Sequence, residues 1–176
     1  MVTASRRRLV RARCAGAGVL VVVLALLGAC TTGQTYEPVG LTRPKDDARS
    51  LVALYLTCGD EKVEAVSLYP DSGDGNADHS RTLWRIEGLD SGGNAPEYVV
   101  GRAPPGFLLS QRLEQPPVQK TPLVIEFETS KGTAALAFTP GEVDQEKVYT
   151  RNTEGEVAMI ARDTFGARSQ RLCAQP

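Results

Sequence analysis

Leu51-Val52-Ala53-Leu54-Tyr55-Leu56-Thr57-Cys58, its turn Gly59-Asp60-Glu61-Lys62 and the return from Val63 to Tyr69 decide the fold. Val52, Leu54, Leu56 and Cys58 alternate with Ala53, Tyr55 and Thr57. After the turn, Val66 and Leu68 repeat the alternation. Successive side chains of a strand point to opposite faces, so this period of two marks half-buried strands. The pattern continues outward. Trp84 and Ile86 share a face, and Tyr98-Val99-Val100 and Phe107-Leu108-Leu109 flank a break at Pro104-Pro105-Gly106. Ile125, Phe127 and Thr129 alternate with Glu126 and Glu128, and Ser130-Lys131-Gly132 links them as a hairpin to Ala134, Leu136 and Phe138. Lys147 to Arg151 and Val157 to Ala161 predict two more strands, and Gln170 to Ala174 a last one. No segment after residue 50 keeps a helical period. Residues 51–176 therefore read as an all-β domain, a β-sandwich of about eight strands. Prolines 104, 105, 116, 117 and 122 place loop and edge strand in its middle, because proline cannot donate to a ladder.

Ahead of the domain, residues 31–50 are polar and lack apolar periodicity, so 30–50 reads as a flexible tether. Before it comes a basic head (Arg6, Arg7, Arg8, Arg11, Arg13), then an apolar run from near Ala15 to Leu27, then Gly28-Ala29-Cys30. This is the layout of a secretory signal. Its core is shorter than the roughly 20 residues that span a bilayer. An uncleaved anchor and plain secretion are the weaker alternatives. The string Leu27-Gly28-Ala29-Cys30 resembles the lipobox of bacterial lipoproteins. That resemblance implies a diacylglyceryl group on Cys30, cleavage that removes residues 1–29, and a mature protein anchored to the outer face of the cell membrane. Cys14 lies in the removed segment. The stretch Ser5 to Arg11 resembles a twin-arginine export signal, and an ordinary basic n-region is the plainer reading of it.

Cleavage leaves 147 residues with 15 basic and 21 acidic side chains, a net charge of −6. That is enough chain for one domain with a real core. An acidic surface repels phosphate, which argues against a nucleic-acid partner and against charge-driven membrane binding. Attachment then falls to lipid, where each buried methylene contributes about 0.8 kcal/mol. With Cys14 removed and Cys30 blocked, Cys58 and Cys173 are the thiols left in an oxidising compartment, and one disulfide is expected. Two thiols without a close histidine do not complete a zinc shell, so no metal or cofactor is expected.

There is also a partial resemblance over about a third of the chain. Cys58-Gly59 with Val63 and Val66, then Leu83-Trp84-Arg85-Ile86, then Val100-Gly101-Arg102-Ala103-Pro104-Pro105-Gly106-Phe107 is similar to a layout in small actinobacterial envelope lipoproteins. It implies an immunoglobulin-like sandwich and an envelope location, and no activity.

Candidate chemistry is sparse. Asp74, Asn76 and Asp78 match the first three ligand positions of an EF-hand loop. His79 then stands where glycine is needed and Arg85 where a bidentate glutamate belongs, so the segment reads as an acidic hairpin loop. His79, the sole histidine, falls in that polar loop and reads as solvated, whereas a triad base must be buried and oriented. Lys131-Gly132-Thr133 inverts a penicillin-binding box and reads as a turn. Glu126 and Glu128 share the outward face of a strand and read as solvated charge. Trp84, the sole tryptophan, reads as core. The expected function is a non-catalytic, membrane-anchored envelope lipoprotein that binds a protein or wall component. A small-ligand or lipid carrier is the alternative, and a hydrolase with unrecognised residues is a weaker one. The candidate binding faces are strand edges near Tyr98 to Phe107.

Overall fold

The alternating segments fold into strands that pair only with antiparallel neighbours. The computed structural model describes residues 38–90, 92–152 and 154–173. Along the chain run β1 (Val39–Thr42), β2 (Val52–Tyr55), β3 (Val63–Pro70), β4 (Trp84–Gly88) and β5 (Tyr98–Val99). There follow β6 (Phe107–Gln111), β7 (Leu123–Thr129), β8 (Gly132–Phe138), β9 (Lys147–Arg151), β10 (Val157–Ala161) and helix α1 (Arg162–Leu172). Two five-stranded sheets result, one ordered β10-β9-β1-β2-β5 and the other β6-β4-β3-β7-β8. The all-β sandwich is therefore the fold, with ten strands among the described residues rather than about eight.

The inward faces make one core. Val39, Leu41, Ala53 and Tyr149 from the first sheet meet Val66, Leu68, Trp84, Ile86, Ile125, Phe127 and Leu136 from the second. Four rings lock the layers. Phe127 stacks on Tyr55 at 4.9 Å and meets Tyr98 edge-on at 5.3 Å, while Tyr98 meets Phe107 at 5.5 Å. Such pairs add about 0.5–1.5 kcal/mol beyond area burial. Trp84 is fully buried, as its spacing predicts. Its indole Nε1 has no hydrogen-bond partner among the described residues.

Two expectations are corrected. β1 lies inside residues 30–50, where the sequence predicts a flexible tether. It is the central strand of its sheet, and Val39, Gly40, Leu41 and Thr42 are all buried. Four residues cannot display a period against a polar background, which is why the pattern hides it. Second, the C-terminal segment is helical and does not form a last strand. Among its described side chains the deeply buried apolar one is Phe165, which packs with Val52, Leu54 and Val148 on the outer face of the first sheet. One anchor leaves no helical period to read, and tertiary contacts supply what propensity does not. Val52 and Leu54 therefore face this helix, while Leu51 and Ala53 face the main core.

Gly40 is what lets the helix approach. A Cβ there would lie 2.4 Å from Val148 Cγ1 and 2.8 Å from Phe165 Cζ. The disulfide Cys58–Cys173, with Cα atoms 5.1 Å apart, ties the end of α1 to the chain just past β2. The pairing is the one expected, but it joins a helix, not a last strand, to the sheet. Cys30 and the signal at 1–29 lie outside the described residues.

The two ends of the sandwich differ. At one, Leu56 N–H donates to Pro38 O (2.9 Å) and Lys131 Nζ donates to Cys58 O (3.2 Å). At the other, Arg43 reaches across from the end of β1 to Gln119 in the loop before β7.

Candidate functional site

β6 comes from Phe107-Leu108-Leu109-Ser110-Gln111, the strand that follows Pro104-Pro105-Gly106. That turn closes with Phe107 N–H donating to Pro104 O (3.1 Å). β6 pairs with β4 along one side and bounds its sheet on the other. Phe107 is buried in the core, and the four residues after it are exposed, Leu108 to 57%. Past Gln111 the chain enters a proline-rich loop. That loop and the ends of β3, β4 and β7 enclose an open groove of about 500 Å³. Arg81, Leu83, Gln111, Leu113, Glu114 and Pro117 are among its lining, with Val118 on its rim, 64% exposed. The groove lies at the end opposite Pro38, and apolar and polar side chains line it about equally. A second groove of about 510 Å³ runs past Arg43, Lys45, Glu146 and Arg162.

The proline loop is held in place by a buried cation. Arg43, 7% exposed, donates from Nε to Val143 O (3.0 Å), from Nη1 to Ala48 O (2.6 Å) and from Nη2 to Pro140 O (2.6 Å). Nη2 also reaches Gln119 Oε1 at 3.4 Å, and Gly141 N–H donates to Gln119 O at 2.8 Å. Every acceptor is neutral, and burial lowers the guanidinium pKa. Arg43 thus joins the end of β1, the short 3-10 turn Pro140–Glu142 and the groove loop.

At the other end the buried carboxylate of Glu61 accepts from Tyr55 OH (2.9 Å), Thr129 Oγ1 (2.9 Å) and Cys58 N–H (3.2 Å). It links both sheets to the disulfide loop. Burial and this hydrogen bond push the Tyr55 pKa up.

The polar residues that the sequence brings forward mostly serve the local chain. Asp71 accepts from Gly73 N–H (2.8 Å) and Gly75 N–H (3.0 Å), and Asp74 accepts from Ser72 Oγ (2.6 Å) and Asn76 N–H (3.1 Å). Hydrogen bonds from Ser72 and Ser80 hold the Asp74 and Asp78 carboxyls below their ordinary pKa. The loop closes on its own backbone. No group of three metal-ligating side chains occurs among the described residues.

His79 is mostly exposed, as expected, yet it is not alone. Its Nε2 lies 3.2 Å from Glu126 Oε2, and its ring meets Tyr69 edge-on at 4.7 Å. Glu126 and Glu128 occupy the outward face as expected, but each has a partner there. Arg85 donates to both oxygens of Glu128 (2.5 and 3.1 Å), to Glu87 (2.8 Å) and to Ser67 Oγ (2.9 Å).

That network sets a pH dependence. The hydrogen bond from Arg85 holds the Glu128 pKa below its ordinary value. A carboxyl with a depressed folded pKa stabilises the fold above its unfolded pKa, about 4.3, and loses that contribution as pH falls through the folded value. The pair is partly exposed and screened, so its contribution is below about 1 kcal/mol. Glu128→Gln should melt below the wild type at pH 7, and the gap should narrow as pH falls below about 4.3 and on through the lower folded value. A gap that widens on acidification would overturn the assignment.

Comparison of the chain with protein-family models, with curated proteins and with solved structures returns no match. The site therefore rests on its own residues. Sequence reading points to strand edges near Tyr98 to Phe107, but both of those residues are buried in the core, and β5 is only two residues long. The available edge is the uncharged run Leu108 to Gln111. The signal that finds it is four consecutive residues without a charge, ending at Arg112 and following the Gly106 turn. Arg43 and Glu61 give no sequence signal, because a charged residue in a polar stretch does not show its burial.

Proposed function

We propose that the protein is a non-catalytic lipoprotein of the cell envelope, anchored through Cys30, whose sandwich binds a protein or wall component at the β6 edge and the adjoining groove. The observation that carries this reading is the exposed, uncharged edge strand running into an open groove of about 500 Å³. Two further features support it. The Leu27-Gly28-Ala29-Cys30 string fits lipid attachment. The disulfide fits an oxidising compartment.

A photo-crosslinking residue at Val118 tests this in intact cells, with Val157 as the control because both are exposed. A discrete adduct at 118 and none at 157 is the expected result. Equal labelling at both positions, or at neither, would reject the groove as the binding site.

A further inference from the structure

We infer that the open edge of β6 takes up an extended polypeptide segment as a sixth strand of its sheet. This rests on the binding reading above and gives the partner its chemistry. An edge strand presents a row of backbone N–H and C=O groups that another extended chain satisfies, and proteins usually blunt such edges with charge, proline, brevity or cover. Three edges here are blunted. β5 has two residues. β10 runs directly into α1, and Ile160 packs on the helix-side cluster. β8 is half-buried or buried from Ala134 onward, and a Cβ at Gly75 would lie 3.8 Å from both Ala137 Cβ and Arg151 Nη2. β6 has no charge and no proline, and Leu108 through Gln111 are exposed; its pairing with β4 shifts register at Ser110, so the regular stretch offered to a new strand is Phe107 to Leu109.

The length and charge of this edge select the occupant. Five residues span about 17 Å. That ladder alone falls short of the roughly 800 Å² per partner that a stable pair of folded subunits buries. The fit is to a flexible segment, not to a second copy. Residues 98–113 contain Arg102 and Arg112 and no acid, in a chain that carries −6 after cleavage. Both arginines are exposed, and Arg112 forms no ion pair among the described residues. The segment that complements this edge alternates apolar and small polar residues and carries an acid at an end. Its chain continues into the groove past Gln111.

The test uses the exported, disulfide-bonded protein and a fluorescent seven-residue peptide of alternating valine and threonine with an aspartate at each end. The control is the same peptide N-methylated at alternate amides, which keeps its side chains and removes ladder hydrogen bonds. Binding is read by anisotropy, and its location by amide exchange. The expected result is binding of the plain peptide with slowed exchange across 107–111, and at least tenfold weaker binding of the methylated one. Leu109→Pro should abolish binding. Because that variant can fail to fold, Leu108→Glu, at an exposed position, should weaken binding at least tenfold with an unchanged melting temperature. No binding, equal binding of the methylated peptide, or protection confined to another edge overturns strand addition. A crosslink at Val118 combined with any of these results would leave the binding reading standing and remove only the strand mechanism.

Discussion

Replacing Cys58 and Cys173 together with alanine is expected to lower the free energy of unfolding by about 4 to 5 kcal/mol, more than the loss of any one side chain at the groove end. The bridge spans 115 residues, nearly the whole domain. A closed loop of this size removes much of the freedom of the unfolded chain, and opening it restores that freedom. The folded state changes too. α1 then keeps Phe165 in its apolar seat and the Arg162–Glu97 ion pair, both near its start, and loses its hold at the far end. Urea unfolding of the oxidised protein and of the double variant measures the loss, and amide exchange measures where the variant opens first. In the variant, α1 should exchange fastest while β3 and β7 stay protected. A loss under about 1 kcal/mol would contradict the loop-closure reading.

The second large effect is expected at Arg43. Truncation to alanine removes the donors to Ala48, Pro140 and Val143 and leaves three carbonyls short of a partner. Stranding buried polar groups costs about 1–3 kcal/mol each where water cannot reach them. Water reaches part of this end through the second groove, so the expected loss is about 3 kcal/mol. Arg43→Lys should recover little, because an ammonium cannot reproduce the planar fork that meets acceptors in several directions. The same substitution should speed amide exchange across the groove loop at 112–122, because Gln119 loses its tie. Thermal melting and exchange of both variants check this. Full stability in Arg43→Lys would show that charge, not the fork, holds this end together.

The sandwich is legible in the sequence because its inward faces are long and repetitive. Ile125, Phe127 and Thr129 on β7 and Val66 and Leu68 on β3 alternate without interruption, and the structure buries all five. Trp84 reads correctly from its spacing with Ile86. Reading fails where burial does not depend on period. β1 is four residues long, and its Gly40 matters for the side chain it lacks, which no hydrophobic pattern can display. Among its described side chains α1 rests on Phe165, with a crosslink at its end, so no helical period shows in the sequence although the helix forms. The polar anchors escape for a related reason. Arg43 and Glu61 look like surface charges until the fold brings acceptors and donors from distant segments around them. The edge of β6 is half legible. Prolines mark its neighbourhood, but which residues stay exposed depends on β4 lying on one side and no strand of the domain on the other.

Anchoring through Cys30 is tested most sharply by the intact mass of the protein extracted from its native membrane, with the disulfide left oxidised. The expected species begins at Cys30, comprises residues 30–176, and exceeds the polypeptide mass by a diacylglyceryl group. Cys30→Ser should abolish that mass increment and release any exported product from the membrane. A wild-type chain that retains residues 1–29, or that begins at Cys30 without added lipid while staying in the membrane, would contradict lipid anchoring.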